Sequence, residues 1–562
     1  MAPLPGLVAG RMDVGTTTLL WATAPSAPVS THEQEDGCAL LIGDAIPRGA
    51  SRRLSAREMS DAWMGRDSLP AAYDGFHVGI AVRDGAITIG GDILGLFPIY
   101  YSALGDVWLA GSSSATFDGH PLFTNSLDVE SMLGYLLAGG PFDGRTLNRE
   151  VRRLAAGALL RWARGAARET EHYVLPSARV DGVASFATAL ERYDAHLATA
   201  VRRHSGVHNR LTLLLSGGRD SRLLAGYLAR AGVEAHAVTL GRATDHDAMC
   251  AAGVARALGM RQVLSDIPFR DFPDYADRAT HWERLAGGMS SVHSWGTADI
   301  LGEHGGAVIS GYVLEARQIA PLPRDVSGML QWTHAHAIGP DLLRTLVTEA
   351  LRPQVDAALQ SIRTRMAGMS EMPESEADGE RSWRWLVAGY ARFHSGAIPW
   401  RLSFGAWPVL PILDQAFIET MLSMPSEYLA SRRMQDAVLR ARFPRLARVP
   451  LDSNSNDVRA LVPTLAQRIR AAWGVRTEAG DGIERRYYAR IYDFANDGWR
   501  AIRHAAEPGR NAMLEWFDRA SLAAVVPSPS ATVAHADPVT DGFGPKMLTG
   551  IMRGCVTGEI AS

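Results

Sequence analysis

The stretch Leu211–Gly232, LTLLLSGGRDSRLLAGYLARAG, decides the fold. A short apolar run over Leu211–Leu215 breaks at Ser216-Gly217-Gly218 and gives way to a helical pattern over Ser221–Ala231. Glycines at such a corner let backbone N–H groups approach a ligand, because no Cβ intervenes. The helix that follows adds unpaired N–H groups and the positive end of its dipole, which together attract an anion. The hydroxyls of Ser216 and Ser221 can donate to the same oxygens. Asp220 is repelled by a phosphate unless a cation lies between them, which points to Mg2+. The plain alternative is a strand–turn–helix corner with Gly for the turn and Asp or Ser as the cap. Five residue types fixed at one strand-to-helix corner favour a phosphate loop.

The flanking sequence repeats the alternation. Phe186–Gly206 reads as an amphipathic helix, Ala235–Leu240 as a strand and His246–Leu258 as a helix. Strand and helix alternating over short connections predict a doubly wound parallel sheet, with ligand beyond the carboxyl ends of its strands. A Walker-type GxxxxGK[ST] loop is excluded, since the only lysine in the chain is Lys546. Before this region the first 175 residues or so read as β-rich. Strands and tight corners succeed one another over His77–Gly111, and a further pair of strands spans Val151–Leu175. The small-residue stretch PSARVDGVAS, residues 176–185, reads as a linker. The remainder is mostly helical, with a polar patch at Asp452–Asp457 and a loop-like run over Pro527–Gly544.

At 562 residues the chain exceeds one ordinary core, so two domains are expected, over 1–178 and 186–562. A net charge of −3 argues against a nucleic-acid substrate. Three widely spaced cysteines, Cys38, Cys250 and Cys555, suggest neither a disulfide scaffold nor a zinc site. No secretory signal and no apolar run long enough for a membrane span are evident, so a cytoplasmic enzyme is expected. His334 and His336 stand two apart without a third ligand, and GSSSATF reads as a loop rather than a nucleophile elbow.

The SGGRDS corner resembles the pyrophosphate loop of the asparagine synthetase superfamily, whose members cleave ATP to AMP and pyrophosphate while adenylating a carboxylate. The resemblance implies a nucleotide-binding set of Ser216, Gly217, Gly218, Asp220 and Ser221, with Leu240 and Gly241 beside the adenine. Asp245 and Asp247 would open the next helix, either as part of this segment or simply as caps. AVISGYVLEARQ, residues 307–318, is similar to the family loop that carries a second acidic Mg2+ ligand. That likeness implies Gly311 in the nucleotide site and Glu315 beside Asp220 on the metal. Tyr312 stands where β-lactam and carbapenam synthetases carry the tyrosine of a catalytic Tyr/Glu pair, or is an ordinary buried tyrosine. Glu283 is a candidate acidic partner for it, or a surface salt bridge. Pro411, Leu413 and Asp414 match a further family stretch. The family's downstream lysines are missing, and Arg432, Arg433, Arg440 and Arg442 stand nearby in their place or form a solvated face.

The N-terminal half is similar to the family's glutaminase domain, through DILGLFPIYY at Asp92–Tyr101. This implies an Ntn-hydrolase-like αββα domain ahead of an adenine-nucleotide α-hydrolase (PP-loop) domain with a helical extension. The nucleophilic cysteine is replaced by Ala2, so glutamine hydrolysis is expected to be absent. An attacking amine must then arrive with the substrate. Among relatives of this form, the chain looks most like a lasso-peptide cyclase. Such an enzyme adenylates an Asp or Glu side chain of a precursor core peptide and joins it to the peptide's N-terminal amine. ATP and Mg2+ would be cofactors, and a leader peptidase and leader-recognition protein possible partners. The alternatives are a β-lactam-synthetase-like or amidating enzyme on a small carboxylate or amine, and a non-catalytic nucleotide-binding subunit.

Overall fold

The computed structural model describes residues 4–65, 72–140, 144–175, 185–314, 326–335, 337–369, 384–452, 460–472, 486–533 and 543–560. Glu315, His336 and nearly all of the linker stretch lie outside the described residues.

The N-terminal part is antiparallel throughout. Val8–Val14 (β1) and Thr17–Thr23 (β2) pair as a hairpin. Val29–Gln34 (β3), Gly37–Gly43 (β4), His77–Arg83 (β5) and Ala86–Gly91 (β6) continue into one sheet. Tyr100–Leu104 (β7), Val107–Gly111 (β8) and Arg152–Arg153 (β9) form another, before Ala158–Ala163 (β10) and Ala166–Glu171 (β11) rejoin the first. The resulting orders are β11-β10-β6-β5-β4-β3 and β8-β7-β9. The predicted hairpins are therefore present as β5–β6, β7–β8 and β10–β11. Strand β4 shows how the middle of the large sheet is buried on both faces. Cys38, Leu40 and Ile42 join the main core, while Ala39 and Leu41 face a second cluster with Met59, Trp63 and Leu159. The side-chain period of two puts alternate residues of this wholly apolar strand on opposite sides.

Asp92 explains the DILGLFP signature. Its carboxylate accepts from the N–H groups of Leu94, Leu96 and Phe97 at 3.1, 3.0 and 2.7 Å, holding a turn in which Gly95 has a φ of 60°. Arg392 closes over that turn by donating to the Gly95 carbonyl at 2.8 Å.

The second part is built on five parallel strands: Leu211–Leu214 (β12), His236–Leu240 (β13), Gln262–Ser265 (β14), Ala307–Ile309 (β15) and Trp407–Val409 (β16). Their order is β14-β13-β12-β15-β16. The chain winds outward from β12 in one direction and then returns to its other side, so the order reverses between β12 and β15. In open parallel sheets a crevice forms at that reversal, beyond the carboxyl ends of the strands. Helices Phe186–Ser205, Arg219–Arg230 and His246–Leu258 flank the sheet close to their expected bounds.

The two parts share one continuous core, in which Trp407 meets Phe76 and Phe97 at ring separations of 5.4 and 6.4 Å. Arg203, 6% exposed, pairs with Asp414 and, at 2.9 Å, with Asp74. Asp414 also caps the helix Gln415–Leu422 through the Phe417 N–H. The family-like stretch around Pro411 thus serves here to lock the antiparallel part onto the parallel sheet. Among the described residues no helix is long and apolar enough to cross a membrane.

Candidate functional site

The corner after β12 is closed by its own hydroxyls. The Ser216 N–H donates to Ser221 Oγ at 3.0 Å, Ser221 Oγ donates to the Ser216 carbonyl at 3.2 Å, and the Gly218 N–H donates to Ser216 Oγ at 3.2 Å. Gly218 begins the helix without a side-chain cap, leaving the first-turn N–H groups to a ligand or to water. A Cβ on Gly217 would lie 2.7 Å from Cys250 Cβ and 2.8 Å from Asp452 Cβ. The corner therefore requires glycine for packing as well as for ligand approach. These features fit an anionic group: an uncapped twelve-residue helix, a glycine cradle and two hydroxyls at one strand end.

Asp220, in the first turn, accepts from Arg432 Nη1 at 2.5 Å and from Gln435 Nε2 at 2.6 Å. Of the four arginines expected near the phosphates, Arg432 meets the corner. Arg433 lies over the Phe186 ring, Arg442 pairs with Glu191 and Asp194, and Arg440 is exposed. Across the reversal, Gly311 sits against Asp220: a Cβ there would fall 2.6 Å from Asp220 Cβ. The phosphate corner after β12 and the Ser310-Gly311-Tyr312 loop after β15 are thus in contact. Ser310 Oγ is buried with no hydrogen-bond partner among the described residues, an orphaned donor at this junction. Val313 has a φ of 65°, unusual for a β-branched residue, so the loop is held against local preference. Tyr312 is half-buried against the core. Asp220 is the hard oxygen donor that a divalent cation such as Mg2+ would use, and to bind one it would have to release Arg432 or Gln435 from a carboxylate oxygen.

At the carboxyl end of β13, Gly241 has a φ of 120°. Neither nearby acid caps its helix. Asp245 Oδ2 accepts from the Arg242 N–H at 2.7 Å and Arg490 Nη2 at 2.9 Å, while Asp247 Oδ2 accepts from the Tyr487 N–H at 3.0 Å. Asp247 also faces Asp452, next to Gly217. Burial, then the hydrogen bond to Asp247 and its charge, push the Asp452 carboxyl well above the usual range, against the opposing pull of Arg486.

Glu283 is buried rather than at the surface. It is 5% exposed at the end of helix Phe272–Glu283, with Oε1 accepting from Arg401 Nε at 2.7 Å and Trp295 Nε1 at 2.9 Å. Oε2 accepts from Arg401 Nη2 at 2.8 Å. Arg401, fully buried, also donates to Ser291, Ser294, Gly287 and Gly288. The physical reason is a buried turn of unpaired carbonyls and hydroxyls that a guanidinium satisfies and a carboxylate then neutralises.

All three cysteines are unbridged. Burial pushes the Cys250 thiol up to about 12 and Cys555 up to about 11, and raises Cys38 as well. None is the low-pKa thiol that nucleophilic chemistry needs. Asp74, His204 and Asp414 converge as a potential metal triad, but Arg203, the Gln415 amide and the Phe417 N–H already occupy their carboxylate oxygens. Ser113 caps a 3-10 helix over Ser114–Gly119, a short helix where a loop was expected. Residues Asp452, Arg486, Tyr487 and Gln435 were not foreseen at the site. Only the polar patch beginning at Asp452 hinted at one of them.

Residues 192–312 match the asparagine synthase family. The match begins inside helix Phe186–Ser205, spans β12 to β15 with the phosphate corner, and ends on Tyr312. It supports placement in the asparagine synthetase superfamily and an ATP-dependent, amide-forming chemistry. Enzymes with an asparagine synthase domain use ATP with Mg2+. No curated protein matches the chain.

Proposed function

We propose that this protein is an ATP-dependent, AMP-forming macrolactam synthetase. It activates an Asp or Glu side chain of a precursor core peptide and joins it to the peptide's own N-terminal amine, as in lasso-peptide maturation. The observation that carries the reading is the contact between Gly311 and Asp220, which makes the phosphate corner and the Tyr312 loop one site. In this reading the N–H groups and hydroxyls of Ser216–Ser221 hold the departing pyrophosphate, with Arg432, on Asp220, as a cation beside them. Mg2+, held by Asp220 with Glu315 as expected second ligand, would supply charge screening of the phosphates. An α-amine with a pKa of about 7.7–8.0 is partly protonated at neutral pH, so a base must free it before attack. Tyr312 is our candidate for that base.

Glu283 serves instead as a buried anchor of the Gly287–Ser294 turn. Three thiols of raised pKa, buried at Cys38 and Cys250 and half-buried at Cys555, favour an amine that arrives on the substrate over one released from glutamine. We read the antiparallel N-terminal part as an inert Ntn-like scaffold that serves as one wall for the peptide.

The test is pyrophosphate release from ATP and Mg2+ with and without a core peptide bearing a free N-terminus, with the peptide's mass followed in parallel. Peptide-dependent release with loss of one water from the peptide supports the reading. Release with small amino acids alone moves the protein to the β-lactam-synthetase type. Binding of ATP without turnover of any substrate leaves a nucleotide-binding subunit.

A further inference from the structure

One short segment of the C-terminal part touches the nucleotide end of the site at several points. Arg486 Nε lies 3.2 Å from Asp452 Oδ1, beside the phosphate corner. The Tyr487 N–H donates to Asp247, and Arg490 Nη2 bridges Asp245 and Asp266 at 2.9 and 2.8 Å. The Arg490 guanidinium also lies 5.7 Å from the centre of the Tyr487 ring. These anchors place Tyr487 on Gly241, where an added Cβ would fall 3.2 Å from both Cβ and Cδ2 of the tyrosine.

A nucleotide whose phosphates sit at Gly217–Ser221 must lay its nucleoside along the carboxyl edge of the sheet. On one side that edge is filled by Gly311, which sits against Asp220. On the other it is the end of β13, Leu240–Gly241, where a left-handed φ and the absence of a side chain leave bare backbone under an aromatic ring. The Tyr487 hydroxyl is buried and has no hydrogen-bond partner among the described residues. Such a group carries a desolvation penalty that a ligand's polar edge would relieve.

We infer that Tyr487 is a nucleoside-recognition residue: its ring packs against the purine and its hydroxyl hydrogen-bonds the nucleoside. The inference rests on the ATP-dependent reading above. It assigns nucleotide recognition to a residue far outside the asparagine synthase match, on the segment that Arg486 and Arg490 tie down.

The experiment is calorimetric titration of the full-length protein with ATP and, separately, with inorganic pyrophosphate, for wild type, Tyr487→Leu and Tyr487→Phe. Aromatic stacking on a base predicts that Tyr487→Leu weakens ATP by about tenfold or more while pyrophosphate stays within about twofold. Loss of one hydrogen bond predicts about a fivefold weakening of ATP for Tyr487→Phe. Unchanged ATP affinity in both variants overturns the inference, and so does a parallel loss of ATP and pyrophosphate, which marks a purely structural tyrosine. If Tyr487→Leu fails to fold, Tyr487→Phe decides by the same comparison. A wild-type protein that binds neither ligand overturns the phosphate-corner reading itself, an outcome distinct from variants that bind both ligands as wild type does.

Discussion

Arg432 and Asp220 form an ion pair of 2.5 Å directly at the phosphate corner, though they stand 212 positions apart. The arginine is held there by an unusual backbone: Ser431 and Arg432 have φ values of 54° and 61°, a region that costs non-glycine residues about 1–3 kcal/mol each. Gln435, one turn along the helix that Arg432 begins, takes the other carboxylate oxygen at 2.6 Å.

If this cation neutralises phosphate during turnover, Arg432→Ala will lower pyrophosphate release by about tenfold or more, since charge-assisted hydrogen bonds contribute about 1.5–3 kcal/mol. Arg432→Lys keeps the charge but loses the planar fork, so partial recovery is expected. Steady-state pyrophosphate release at saturating substrate measures both. Equal rates in wild type and Arg432→Ala would show that the arginine only screens Asp220.

Glu283 and Arg401 lend themselves to a stability test. Both are buried, and removing one partner of such a pair leaves an uncompensated charge, at a cost of about 3–5 kcal/mol. Glu283→Gln and Arg401→Met should each lower the urea midpoint strongly, and the double variant should recover part of the loss. A catalytic Glu283 would give the opposite pattern, with the midpoint kept and ring closure lost in Glu283→Gln.

The parallel half was legible because its signals are local. The corner at Ser216–Ser221 and the helix over His246–Leu258 are specified by neighbours in sequence; the latter's bounds agree to the residue, and the helix after the corner starts two residues earlier than expected and ends one earlier. The strands of the N-terminal half were legible for the same reason, since hairpins pair nearby segments. What escaped was set by contacts across hundreds of residues. No periodicity singles out Arg432 among the four expected arginines, or ties Tyr487 to Gly241 or Arg401 to Glu283. Asp245 and Asp247 read as helix caps by position, yet the fold draws both carboxylates toward the 486–490 segment instead. Glu283 read as either an acidic partner for Tyr312 or a surface salt bridge, because a lone glutamate on an amphipathic helix carries no sign of a buried partner. The buried arginine that claims it lies 118 positions downstream.

The response of stability to acid follows from the buried histidines. His293 packs edge-on against the Tyr492 ring at 4.7 Å, and burial, followed by the charges of Arg401, Lys546 and His394, pushes its pKa down to about 3. In the unfolded chain the same imidazole titrates near about 6.5. The folded state therefore refuses a proton that the unfolded state accepts between those two values. The contribution is complete above pH 6.5 and is lost progressively as the pH falls toward 3, by up to about 1.4 kcal/mol per pH unit. Burial pushes His77 and His172 down to about 4 in the same way, so all three act in one direction. Urea unfolding at a series of pH values from 7 to 5 should show a steep fall in wild type. His293→Gln should flatten that slope by about one proton's worth, whatever its effect on the midpoint at pH 7. Identical slopes in the two proteins would mean that His293 takes up its proton in the folded state, with water reaching the ring beside Tyr492.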